Sequence, residues 1–145
     1  RAVPANCLDS TENSIQEQNF LIAIQEHILR LLKLPYQVVA VCAGDMGFPD
    51  NRQIDIETWM PGQNKYRETH SADLTSGFQA RRLNTRVRRA NGKIEPVHMN
   101  DATVIAMGRI LIAIIENYQQ ANGTIKIPEI LRPYLGNKEF IEKQG

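Results

Sequence analysis

Asp55, Glu57, Glu68, Ser71, Thr103 and Arg109 are the side chains of this sequence that could do chemistry together: oxygen donors plus one permanent cation. That mixture suits a magnesium-bound polyphosphate better than a zinc hydrolase. Magnesium takes one or two carboxylates together with the phosphate oxygens themselves, while a guanidinium neutralises charge building on a transferring phosphoryl or adenylyl group. Serine–histidine–acid chemistry at Ser71, His70 and Asp73 is disfavoured, because adjacent side chains on a strand diverge and there is no GxSxG turn. There is no Walker loop and no GxGxxG either, so phosphate must be gripped by side chains.

Arg109 stands in HMNDATVIAMGRILIAIIENYQ, where a strand runs directly into a helix. From Ala102 to Ile115 only Thr103, Gly108 and Arg109 are not plainly hydrophobic, and a helix apolar all round belongs in the middle of a fold. A buried cation costs several kcal/mol unless an anion meets it. Three arrangements satisfy it: the guanidinium snorkels to water, pairs with a structural carboxylate, or points into a cleft and holds an anionic ligand. Asp55 and Glu57 lie two apart on an alternating strand, Gln53 to Trp59, and so point the same way. They form either an ordinary solvent face or, beside Trp59, the floor of a polar cleft.

The elements that must position these groups read as follows. Ser14 and Glu17 make a capping box ahead of an amphipathic helix that Leu34 and Pro35 stop. YQVVAVCAG reads as a buried strand, and Gly44, Gly47 and Pro49 mark a loop holding Met46 and Phe48. After the MPGQN turn, Lys65 to His70 is a strand with Tyr66, Glu68 and His70 on one side, followed by a loop, SADLTSG. Phe78 to Leu83 is a helical turn. Thr85 to Arg89 and Ile94 to Met99 pair through a type I′ hairpin at Asn91 and Gly92. Asn122 and Gly123 cap the central helix, and IKIPEILRPYLG is an extended tail. Helix, antiparallel strands, buried helix and tail make an α+β fold.

At 145 residues and 42% hydrophobic, the chain is the size of one domain with one core. A net charge of +1 argues neither for nor against a polyanionic partner. Between Leu74 and Ile94, however, stand Arg81, Arg82, Arg86, Arg88, Arg89 and Lys93 with no acid among them: a solvated basic face, or a local footprint for one. Cys7 and Cys42 have no metal-ligand spacing and suggest a reducing compartment. With no apolar run long enough for a membrane span, the expectation is a soluble, cytoplasmic protein. The opening RAVPANCLDS without Met suggests a fragment or a processed form.

The strings GDMGF, E-x-W-x-PGQ, YRE, FQARR, GR followed by ENYQ, and PE-x-LRPYL occur here in that order. Together they resemble the C-terminal part of the catalytic domain of seryl-tRNA synthetase, a class II aminoacyl-tRNA synthetase. The resemblance covers nearly the whole chain. It implies part of the class II antiparallel sheet with packed helices, and serine–tRNA ligase activity: ATP-dependent activation of serine to seryl-adenylate, then transfer to tRNA(Ser).

Residue by residue, the segment Glu68, Thr69, His70 and Ser71 falls where the family lines its ATP site, and Glu68 and Ser71 match the residues associated with magnesium. Arg109 matches the arginine of the third class-defining motif, which contacts the γ-phosphate of ATP. Thr103 falls where a hydroxyl residue holds the substrate serine. His70 replaces a serine, and Asp101 and Ala102 replace asparagine and glycine. The resemblance further implies ATP and Mg2+ as cofactors, a homodimer in the complete enzyme and no membrane partner. The arginine-bearing second motif, the dimer motif and the tRNA-binding arm are not found in residues 1–145. The chain is therefore expected to be weak or inactive alone, and to expose a sheet edge and one apolar face of the central helix. The alternatives are a non-catalytic, synthetase-like module that binds a partner, and a related ligase that loads a carrier protein.

Overall fold

The computed structural model describes the backbone of residues 2–9 and 13–142 and the side chains of residues 13–142. An antiparallel sheet of five strands runs in the order β1 (Ala2–Asp9), β7 (His98–Ala106), β4 (Lys65–Ser76), β3 (Arg52–Met60), β2 (Tyr36–Ala40). α1 (Ser14–Leu31) and α3 (Met107–Tyr118) cover one face. On that face the core joins Leu21, Ile22 and Leu29 of α1 to Ile54, Ile56 and Met60 of β3, Ala72 of β4, Ala102 of β7, and Ile110 and Ala113 of α3. Leu29 and Ile56 are fully buried, which stabilises the fold by about 1.5–3 kcal/mol for each side chain.

Alternation along β3 is as expected: Ile54, Ile56, Thr58 and Met60 are buried, and Asp55, Glu57 and Trp59 face the other way. β4 departs from expectation. It does not stop at His70 but continues through Ser76, so SADLTS is strand and not loop, hydrogen-bonded between β3 and β7. Its turn-forming composition is overridden by having a partner on each side. YQVVA is likewise not a buried strand but a largely exposed edge, with Val38 46% exposed.

Two glutamines interrupt the apolar stripe of α1, two turns apart. Gln18 donates through Nε2 to the Ala72 and Arg52 carbonyls, at 2.8 and 3.1 Å, and its Oε1 accepts from Arg52 Nη1. Gln25 donates to the Ser71 and Thr103 carbonyls at 2.6 and 3.0 Å. The helix thus bonds the middle of β4 and β7 directly. At its start Asn13, not Ser14, takes the cap position, without a side-chain cap bond.

The central helix is shorter than its hydrophobicity suggests. Ala102 to Ala106 belong to β7, and α3 begins at Met107 with no intervening loop. It is also one-sided: Ile110 and Ala113 are buried, but Leu111, Ile112 and Ile115 are 49%, 43% and 43% exposed. Its far end is fastened to the 3-10 turn Pro61–Gln63. Gly62 N–H donates to Glu116 Oε2 at 2.9 Å, and a Cβ at position 62 would lie 2.8 Å from the other oxygen, so glycine permits the approach.

A separate lobe is built by α2 (Phe78–Leu83) and the hairpin of β5 (Arg86–Arg88) and β6 (Ile94–Pro96), which share a small core of Ala80, Val97, Met99 and Val87. The hairpin turn is not type I′. Gly92 alone has positive φ, 82°, and Gly92 N–H donates to the Arg89 carbonyl, the pattern of a type I turn followed by a left-handed glycine. Asn122 and Gly123 do not cap α3, which ends at Tyr118; they turn the chain towards β8 (Ile125–Lys126). The tail is not extended either. It contains a 3-10 helix, Glu129–Leu135, before β9 (Phe140–Ile141), which pairs with β8. No helix among the described residues is long and apolar enough to cross a membrane.

Candidate functional site

The sheet face opposite α1 and α3 is where the polar side chains gather, and a bulge decides which of them reach it. Glu57 pairs with Glu68 and Ile56 with His70, so Thr69 is the extra residue on β4. Before the bulge Tyr66 and Glu68 point to the open face. After it the phase reverses: His70, Ala72 and Leu74 turn to the helix side, and Ser71 and Asp73 take the open face with Asp55.

Two expected ligand-lining residues are therefore displaced. Thr69 and His70 are both fully buried, away from the open face. Thr69 Oγ1 lies 2.6 Å from Thr58 Oγ1 and 2.8 Å from His70 Nδ1, a short polar chain under the bulge that leaves His70 Nε2 buried without a partner. Burial pulls the His70 imidazole down to about 4, so the ring is neutral at physiological pH. With His70 on one face and Ser71 and Asp73 on the other, a catalytic triad of these three is excluded.

Arg109 sits in the first turn of α3, where the β7–α3 junction aims it back across β4. Its Nη1 is 3.0 Å from Glu68 Oε2 and donates to the Glu68 carbonyl oxygen at 2.9 Å. The cation is not buried: its side chain is 53% exposed and that of Glu68 43%. It both reaches water and meets a carboxylate. An exposed pair of this kind contributes only about 0–1 kcal/mol, so its partner can be exchanged for another anion at little cost. Around the pair lies an open cavity of about 470 Å³ lined by Glu57, Met60, Gln63, Tyr66, Arg67, Glu68, Arg109 and Ile112. Glu57 is held by Gln37 Nε2, which donates to its Oε2 at 2.6 Å.

Farther along the same face Ser71 stands opposite Thr103, and Asp73 opposite Asp101. Neither Ser71 nor Thr103 lines the cavity; they continue the floor beyond it. Asp73 is the residue that sequence reasoning undervalued. Its carboxyl is pushed up to about 7, first by burial and then by the charges of Asp50, Asp55, Asp101 and Glu68. One of its oxygens, Oδ1, is buried without a hydrogen-bond partner. Burial likewise raises Asp55, with Gln53 Nε2 donating to Asp55 Oδ1 in opposition. The signal for Asp73 was available: strand alternation carried past His70 places Ser71 and Asp73 on one face.

Among the described residues no group of three or more His, Cys, Asp or Glu side chains could hold a metal ion. This donor set fits a magnesium ion that arrives with a polyphosphate, because such an ion draws most of its ligands from phosphate and water.

Residues 3–118 match the family model for the tRNA synthetase class II core domain (G, H, P, S and T). The serine–tRNA ligase of Desulforapulum autotrophicum is 51% identical over 134 residues, covering 92% of this chain and 31% of that protein. That of Dictyoglomus thermophilum is 46% identical over 133 residues, with the same coverage of 92% and 31%. Among solved structures, seryl-tRNA synthetase from Pyrococcus horikoshii complexed with ATP superposes with a TM-score of 0.94 at 39% identity, over 99% of this chain and 32% of that one. The Naegleria fowleri cytoplasmic serine–tRNA ligase in complex with AMP gives 0.90 at 31% identity. The chain thus spans about a third of the length of the relatives it matches. With residues 3–118 matched by its model, the chain belongs to the class II tRNA synthetase core-domain family.

Proposed function

We propose that this chain carries one side of the active site of a serine–tRNA ligase, which joins serine to ATP as seryl-adenylate with release of pyrophosphate and then transfers serine to the terminal adenosine of tRNA(Ser). The observation that carries the reading is the exposed Arg109–Glu68 pair at the cavity mouth. In the resting site Glu68 occupies the guanidinium. With ATP bound, Arg109 would exchange Glu68 for the terminal phosphate, which would leave the Glu68 carboxylate free at the cavity mouth. Glu68 and Ser71 are the residues that would hold Mg2+, whose chemistry is to screen charge between the phosphates. Thr103, opposite Ser71, offers a hydroxyl that both accepts and donates to the serine side chain. No protein nucleophile is needed, because catalysis is positioning and electrostatic stabilisation. Thr69 and His70 support this floor from beneath and do not touch ligand. The homodimer and the tRNA arm belong to the complete enzyme, in the cytoplasm.

The test is serine-dependent ATP–pyrophosphate exchange by the complete enzyme. Arg109→Ala should lower exchange by well over tenfold, and Glu68→Gln should raise the magnesium concentration needed for half-maximal exchange. Near-normal exchange by Arg109→Ala would remove its assigned role. A complete protein that performs no exchange at all, and gives no heat with ATP and magnesium, would instead be a non-catalytic module.

A further inference from the structure

The basic run between Arg81 and Lys93 is not used by the site described above. Glu95 pairs with Arg89 at 2.8 Å and Lys93 at 2.7 Å, which accounts for those two cations. Arg81, Arg82, Arg86 and Arg88 are exposed and make no ion pair among the described residues. Their placement is fixed by the lobe's own core. Val87 packs inward on Ala80, Val97 and Met99, so Arg86 and Arg88, one residue to either side, are turned outward.

Against this lobe stands an aromatic side chain that nothing in the fold requires to be outside. Phe48 is 90% exposed, yet its ring is held edge-on to Phe78, with centroids 5.7 Å apart at 80°. Arg82 in turn lies 3.5 Å from the Phe78 ring centroid. The loop that bears Phe48 brings one exposed acid, Asp45, while Asp50 is half-buried with its carboxylate against Gly47. The result is an open ring face on an aromatic–guanidinium stack, on a lobe whose four arginines make no ion pair among the described residues. A solvated basic surface has no use for a buttressed exposed phenyl ring. Single-stranded nucleic acid uses both parts, because bases stack on the ring and phosphates follow the cations. The position also fits. Phe78 lies beyond the Ser76 end of β4, roughly 25 Å from Glu68 at about 3.3 Å per strand residue. It is past Thr103 and the Asp73–Asp101 pair, on the side away from the phosphate end.

We propose that Phe48, Phe78 and Arg82, with Arg81, Arg86 and Arg88, form a docking surface for a single-stranded RNA end, guiding the acceptor strand towards the amino-acid end of the cleft. The identity of that strand as the tRNA 3′ end rests on the ligase reading; the stacking surface does not.

The test uses the complete enzyme and a short single-stranded RNA carrying the tRNA 3′-end sequence, with affinity measured by fluorescence anisotropy across a salt series. Phe48→Ala should weaken binding by about tenfold, and Phe48→Trp should restore it. Arg86→Ala combined with Arg88→Ala should flatten the slope of log K against log salt by about 0.7 for each arginine removed. In the same preparations serine-dependent exchange should stay at the wild-type level, which also shows that the variants are folded, while the KM for tRNA in aminoacylation rises. Unchanged affinity, slope and tRNA KM in these variants would overturn the proposal. So would a poly-glutamate peptide that competes as strongly as the RNA and is insensitive to Phe48→Ala, since that would make the surface a site for acidic protein. A wild-type enzyme without exchange would defeat the ligase reading alone, and the loss of RNA affinity in Phe48→Ala would still support the stacking surface.

Discussion

Asp73 and His70 titrate in opposite directions within three residues of one strand, and their signs can be worked out separately. The Asp73 carboxyl is raised to about 7, so the folded state holds its proton where the unfolded chain has already lost it. The stability this contributes is complete below the ordinary carboxylate range and is lost as pH rises through about 7. His70 is depressed to about 4; its contribution is present above the ordinary imidazole value and lost as pH falls through about 4. Between those limits the two nearly cancel. Asp73→Asn removes one of them, so thermal melts should show the variant gaining on wild type steadily from about pH 4 to pH 7 and most at pH 8. A constant difference across that range would mean that Asp73 is ionised throughout. Residue types were legible from sequence here: Glu68, Ser71 and Thr103 lie on the open face and Arg109 reaches Glu68 from the head of α3, although Ser71 and Thr103 lie outside the cavity. His70 was misplaced because a bulge leaves no mark in composition; it shows only as a change of phase in the pairing of β3 with β4.

The elements themselves were partly legible. β3 announced itself by strict alternation and α1 by helical spacing. The continuation of β4 through Ser76 did not, because Ser71, Asp73, Thr75 and Ser76 are residues that favour turns. What holds them extended lies elsewhere in the chain: β3, β7 and the amides of α1. Gln25 supplies the sharpest check. Its Nε2 meets the carbonyls of Ser71 and Thr103, the two hydroxyl residues of the site floor, and the side chain is buried. Gln25→Leu conserves volume but leaves those carbonyls without their donor, at a cost of about 1–3 kcal/mol. Chemical denaturation should register that loss as a lower midpoint. An unchanged midpoint would mean that strand pairing satisfies both carbonyls alone.

At the scale of the whole molecule, apolar surface is left on both covering helices: Leu111, Ile112 and Ile115 on α3, and Ile15, Phe20 and Leu31 on α1. β2 adds a largely exposed edge strand. Surfaces of this kind drive association. Residues 1–145 expressed alone should sediment as concentration-dependent oligomers, and Leu111→Glu with Ile115→Glu should shift them towards monomer; a monomer at all concentrations would refute this. The α+β architecture was readable from element order, but the helix expected to be buried on all sides is not, because hydrophobicity records what a surface seeks and not whether it has found it. The direct passage of β7 into α3 has a consequence for specificity. Thr103 ends up on the strand and Arg109 on the helix of one continuous backbone, without a hinge between them. Under the reading proposed above, the floor would act as a fixed gauge: the interval between Thr103 and Arg109 is set by one unbroken strand-to-helix backbone, which favours ligands of one length.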